Sequence, residues 1–147
     1  MYKRILVTTD GSTLSKKAVR HAIDLAAATG ARLVALNVVP RYPMSYFEGG
    51  MSIPTEDVSR IEKKWAEDAL AIVHAVQKAA QAAGVTASAV TAQSDLVAES
   101  IMAAAKKQKC DLIVMASHGR KGIKRLLLGS ETQHVLTHST IPVLVLR

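Results

Sequence analysis

Apolar residues fall along this chain in two alternating rhythms. Short dense runs occur at Arg4–Thr8 (RILVT), Arg32–Val39 (RLVALNVV), Asp111–Met115 (DLIVM) and Pro142–Leu146 (PVLVL). Near-continuous β-branched and leucine runs suit parallel strands covered on both faces. Thr86–Gln93 (TASAVTAQ) is smaller and more polar, as an edge strand would be. Between these runs the spacing lengthens to three and four. Ser12 is placed to cap a first helix running to about Ala28, before Gly30. From about Thr55 to Ala83, the residues Val58, Ile61, Trp65, Ala69, Ile72 and Val76 form a helical stripe that stops at Gly84. A third helix covers about Leu96 to Gln108, with Val97, Ile101, Met102 and Ala105 inward, and a short fourth covers about Glu131 to His138. Strands alternating with helices through brief connections predict an α/β fold: an open parallel sheet of five strands with helices on both faces.

At 147 residues the chain is expected to form a single domain. No apolar run approaches the roughly 18 residues of a membrane span, and the N-terminus enters a strand pattern without a signal-peptide core. A lone cysteine, Cys110, excludes an internal disulfide and points to a reducing compartment, the cytoplasm. The net charge of +7 favours anionic partners. Nucleic acid is disfavoured, because base stacking needs aromatics among the cations. Here Tyr42, Tyr46 and Phe47 instead gather in one long connection, Pro40 to Pro54, together with Met44 and Met51.

Ligands of open parallel sheets sit at the carboxyl ends of strands, where the winding reverses. Two segments qualify if the first and fourth strands are neighbours: Thr8-Thr9-Asp10-Gly11-Ser12, and the stretch ASHGRKGIKRLLLGSET from Ala116 to Thr132. The second runs from a strand through a glycine-bearing loop to a helix start, a combination that holds phosphate by amide hydrogens and the helix dipole. Gly119 and Gly129 offer bare backbone for close approach. Arg120, Lys121, Lys124 and Arg125 are either phosphate-neutralising groups or a solvated face. Asp10 either binds a ribose hydroxyl or a metal ion riding on phosphates, or simply makes the turn with Gly11. Ser130-Glu131-Thr132-Gln133 reads as a capping box for the fourth helix.

Other chemistries find less support. Neither a Walker A sequence nor a G-x-G-x-x-G after the first strand is present. Ser117 and His118 point apart, and cannot pair, as long as their segment is extended. His134 and His138 have a metal-compatible spacing with no third ligand nearby in sequence, and His138 is placed to face the helix C-terminus. His21 and His74 read as surface residues. Cys110 reads as a small buried residue rather than a nucleophile.

Over its whole length the sequence resembles the universal stress protein family. The marks are YKRILVTTDGS, a second strand ending in NVVP, DLIVMASHGRKGIKRLLLGSET and the closing IPVLVLR. Nucleotide-binding members carry G-x-x-G, nine residues, then G-[S/T]; the matching positions are Ala116, Gly119, Gly129 and Ser130, with alanine in place of the first glycine. The resemblance implies the Rossmann-like adenine nucleotide alpha hydrolase-like fold with strand order 3-2-1-4-5. It also implies ATP, ADP or AMP bound with Mg²⁺ or Mn²⁺ at Asp10. Thr8, Thr9 and Asp10 would line ribose and phosphate, and Val38 would meet adenine through its backbone. Met115, Ala116, Ser117, His118 and Gly119 would wrap ribose and phosphates. Gly129, Ser130 and Glu131 would cradle the triphosphate, with Arg120 and Thr132 completing the set. Members pair as homodimers through the last strand, here Pro142–Leu146. The implied role is a stress regulator or sensor working through nucleotide binding, at most a slow ATPase. The alternative is a dimeric regulatory scaffold of the same fold that binds no nucleotide, which Ala116 favours.

Overall fold

The computed structural model describes residues 1–42, 54–119 and 128–147. Five strands and four helices alternate: β1 (Arg4–Thr8), α1 (Thr13–Thr29), β2 (Arg32–Val39), α2 (Thr55–Ala82), β3 (Ala87–Gln93), α3 (Val97–Lys107), β4 (Leu112–Ala116), α4 (Ser130–His138) and β5 (Val143–Leu146). All strand pairs are parallel, in the order β3-β2-β1-β4-β5. Among the described residues, no helix is long and apolar enough to cross a membrane.

Alternation along each strand divides the core in two. Ile5 and Val7 of β1 face α1 and α2, beside Ala22, Ile23 and Val73. Leu6, between them, faces the opposite side with Ile113, Met115, Ile101 of α3 and Val135 of α4. Local signals set the helix ends. Ser12 caps α1 by accepting from the Ser15 amide at 3.3 Å, and Gly30 ends it at φ 72°, a torsion that favours glycine.

Several expectations need correction. β4 begins at Leu112, one residue later than Asp111, and reaches Ala116. The Asp111 carboxylate accepts the Lys3 and Arg4 amides at 2.8 and 3.0 Å and so closes the lower end of β1. β5, whose apolar run suggested burial on both faces, has Leu144 40% exposed; it is the edge strand that the order 3-2-1-4-5 implies. β3 is the other edge, as its composition suggested. The apolar stripe of α2 is buried only in its C-terminal half, at Ala69, Val73, Val76 and Ala80. Geometry explains this: 28 residues of helix span about 42 Å, whereas the seven residues of β3 span about 23 Å. Because α2 runs back from the upper end of β2, its N-terminal half overhangs the carboxyl ends of the strands. Val58, Ile61 and Trp65 on that half are only partly buried.

Candidate functional site

β1 and β4 lie side by side, with Ile5 opposite Leu112 and Val7 opposite Val114. From this pair the chain winds outward to β2–β3 on one side and to β5 on the other. The crevice above it is where the two singled-out segments meet.

The β1 exit is held tightly. The Thr9 amide adds one more rung by donating to Leu36 O at 3.0 Å, and Asn37 Nδ2 donates to Thr9 O at 2.7 Å. The Ser15 hydroxyl gives its proton to Ser12 O (2.9 Å), so the Thr9 hydroxyl is the donor in its 2.9 Å bond to Ser15 Oγ. Thr9 is thereby consumed in building the turn. Asp10 Oδ1 accepts the Ser12 amide at 2.9 Å, the turn-making role, across Gly11 at φ 81°. Its other oxygen reaches the second segment: a Cβ on Gly119 would stand 2.8 Å from Asp10 Oδ2. Glycine at 119 is what lets the two exits touch.

The β4 exit folds back on α4. The Gly129 amide donates to Ser117 O at 2.8 Å, and a Cβ there would lie 3.2 Å from His118 Cα. The Thr132 hydroxyl donates to Ala116 O at 2.9 Å, so Thr132 is buried as a strut between α4 and β4. Arg120, Lys121, Lys124 and Arg125 lie outside the described residues, as do Met44, Tyr46, Phe47 and Met51.

Two expectations are overturned here. The capping box does not form: Gly129 takes the cap position, Ser130 is already helical, and no side chain caps α4. Glu131 reaches across to α3, its Oε2 accepting the Ala98 amide at 3.0 Å, where Leu96 at that helix start has no side-chain oxygen to offer. Ser117 and His118 do pair, Oγ to Nδ1 at 3.1 Å, since the chain bends after Ala116 rather than staying extended. The expected place of His138 holds: its Nδ1 lies 3.0 Å from His134 O in the last turn of α4. Among the described residues no cluster of three metal-ligating side chains occurs. Cys110 is buried, and burial pushes its thiol up to about 11, so it stays protonated and inert.

Ala116 lies in β4 with strand torsions; among described non-glycine residues only Lys109 has positive φ. Its methyl belongs to the core on the α1/α2 face and narrows only the inner part of the crevice.

That crevice has two connected chambers. The inner one, about 170 Å³, is walled by Thr8, Val97, Ile101, Met115 and Ala116. The outer one, about 620 Å³, extends from Trp65, Asp68, Ala69 and Ile72 on α2 to Gly119, Gly129 and Ser130. Asp10, Asn37, Val38, His118 and Glu131 border both. Its size falls within the roughly 300–1,000 Å³ of small-molecule sites. Val38 has a particular place. Leu36, two residues earlier, bonds toward β1, and strand groups repeat their direction every second residue. The amide and carbonyl of Val38 therefore point to the β1 side, above the level where β1 has ended. The described walls carry Asp10, Asp68 and Glu131 but no lysine or arginine, so amide hydrogens are their means of holding an anion. Sequence reasoning missed the α2 wall and Asn37. The length of α2 relative to its strands was the available signal for the wall.

The universal stress protein family model matches residues 1–147. Over its full length the chain is 34% identical to universal stress protein MJ0531 of Methanocaldococcus jannaschii, covering 83% of that protein. It is 32% identical to universal stress protein YxiE of Bacillus subtilis, with both chains fully covered. Among solved structures, the M. jannaschii protein MJ0577 superposes with a TM-score of 0.83 at 27% identity, over 99% of this chain and 96% of that one. A universal stress protein solved in complex with cAMP superposes with a TM-score of 0.70 at 27% identity, over 99% and 97%. The strand order, the crevice above β1 and β4 and these likenesses agree, and the chain belongs to the universal stress protein family.

Proposed function

We propose that this protein binds an adenine nucleotide, ATP or a shorter phosphate form, in the crevice and regulates a stress response through its nucleotide state. The observation that carries this reading is the outer chamber. One end is bounded by Gly119, Gly129 and the uncapped first turn of α4, whose amides suit a polyanion. Further along stand Asp10, for ribose hydroxyls, and the backbone of Val38, for a base edge. The cAMP complex of a 27% identical relative supports the ligand class.

Asp10 is the residue here that would hold Mg²⁺ or Mn²⁺. Magnesium sites commonly use one or two carboxylates together with phosphate oxygens, so a single carboxylate fits an ion arriving with its nucleotide. The ion would supply charge neutralisation for the phosphates. Glu131 is committed to α3 through its carboxylate, leaving its amide for the ligand. The proposed role is binding rather than turnover, by one domain over residues 1–147 acting in the cytoplasm. The open edge of β5 is the proposed seam of a homodimer, since an uncovered strand edge invites pairing.

The alternative, a scaffold that binds no nucleotide, keeps Ala116 and the diverted Glu131 carboxylate in its favour. Thermal unfolding with Mg-ATP separates the two. At a hundredfold excess over Kd the native state gains about 2.7 kcal/mol, which for this size raises Tm by about 5–10 °C. An unchanged Tm up to millimolar Mg-ATP rejects nucleotide binding.

A further inference from the structure

One wall of the outer chamber comes from α2 and is built differently from the strand exits and the start of α4. Trp65, Asp68, Ala69 and Ile72 form it, all on one stripe around the middle of α2. Trp65 is the single tryptophan of the chain. Tyr42 stacks on it, ring centroids 5.9 Å apart and 28° between planes. The Tyr42 amide in turn donates to Glu62 Oε1 at 3.3 Å, and Gln93 Nε2 donates to Glu62 Oε2 at 2.8 Å. Tyr42 is thereby tied to α2 and β3 through Glu62 and backs the indole where it borders the cavity. Asp68 is the acid on this otherwise apolar stripe. Lys64 Nζ donates to its Oδ1 at 2.8 Å, which leaves its second oxygen able to accept.

A chamber lined by an aromatic and a carboxylate from α2 and by the helix-start amides of α4 fits a ligand with a flat ring bearing amino hydrogens joined to a polyanion. We propose that Trp65 is a stacking wall for the nucleotide base and that Asp68 selects a 6-amino purine over a 6-oxo purine by accepting from the exocyclic amine. This rests on the nucleotide reading above and adds the residues that choose the base. The inner chamber, at about 170 Å³, is below the volume of ordinary small-molecule sites and holds only part of such a ligand. At the C6 substituent an amine donates to the Asp68 carboxylate, whereas a 6-oxo oxygen would meet it acceptor against acceptor.

The test titrates full-length protein with Mg-ATP and Mg-ITP, read by calorimetry and by emission of the single tryptophan. ATP should change the Trp65 emission. Base–aromatic stacking corresponds to about a five- to hundredfold loss of ATP affinity in Trp65→Leu, and Trp65→Phe should recover most of it. Wild type should prefer ATP to ITP by about tenfold, and Asp68→Asn, whose amide both donates and accepts, should bring the two within about twofold. Half-buried Trp65 and exposed Asp68 sit outside both cores, and unfolding curves of the variants confirm folding independently. If wild type binds ATP while its emission is unchanged and Trp65→Leu binds equally well, the base lies elsewhere and this inference fails alone. If wild type shows neither heat nor stabilisation with ATP, the nucleotide reading fails and takes this one with it.

Discussion

Replacing Gly119 with alanine tests the junction on which the site depends. The new Cβ would stand 2.8 Å from Asp10 Oδ2, more than half an ångström inside ordinary contact, which starts near 3.4 Å. The obstructing atom is the end of a side chain, so the carboxylate rotates away rather than the backbone yielding. In doing so it gives up the 2.9 Å bond from the Ser12 amide, at the residue that caps α1. That is a charge-assisted bond at a part-buried turn, so its net loss costs about 1 kcal/mol. For a chain of this length, Tm should fall by about 2–4 °C. If Asp10 also meets the ligand, the same rotation weakens Mg-ATP binding. Differential scanning calorimetry with and without Mg-ATP reads both effects. Asp10→Asn serves as the control, because its side-chain oxygen can still accept from Ser12 while the charge is gone. It should keep most of the apo Tm and lose stabilisation by Mg-ATP. A Gly119→Ala protein with wild-type Tm and wild-type response would show that Asp10 and Gly119 are not in contact. A fall well beyond 4 °C would show that the backbone moves instead.

Three further outcomes follow from particular contacts. Burial pushes the Asp111 carboxyl up, but the amides of Lys3 and Arg4 and the Lys3 charge hold it, on balance, below the ordinary carboxylate range. A depressed folded-state pKa contributes stability that is present above the unfolded value near 3.9 and lost as pH falls through the folded value. Asp111→Asn should therefore lower Tm at pH 7 and converge with wild type only once the pH has fallen below the depressed folded value; parallel curves down through that range would disprove it. Cys110, with its thiol raised to about 11, should stay unmodified by a thiol reagent at pH 8 in native protein and react on denaturation. Rapid native labelling would contradict the burial. Leu144 on the open edge of β5 should break the proposed homodimer when changed to aspartate, which analytical ultracentrifugation would read as a shift to monomer; an unchanged dimer would move the seam elsewhere.

The elements themselves were legible from the residues. β1 and β2 begin and end at the residues expected, and the helices agree to within one or two positions, because apolar periodicity and caps such as Ser12 and Gly30 act over a few neighbouring residues. So was the meeting of the β1 and β4 exits, given the strand order that the family resemblance implies. The partner of each polar group was not legible. Gln133 is spaced to close a capping box with Ser130, yet the helix starts one residue earlier, at the Gly129 cap, and Glu131 serves the uncapped start of α3, distant in sequence. Ser117 and His118 pair because the chain must bend to bring Gly129 back onto Ser117. Alternation in Pro142–Leu146 says which residues are apolar, but only the sheet order makes the strand an edge. The wall carrying Trp65 and Asp68 exists because a helix longer than its strands must project past them, and where it projects depends on the direction in which it crosses the sheet. Local sequence thus decides which segments become strands and helices. Long-range packing decides which groups face one another, since that depends on distances between segments far apart in the chain.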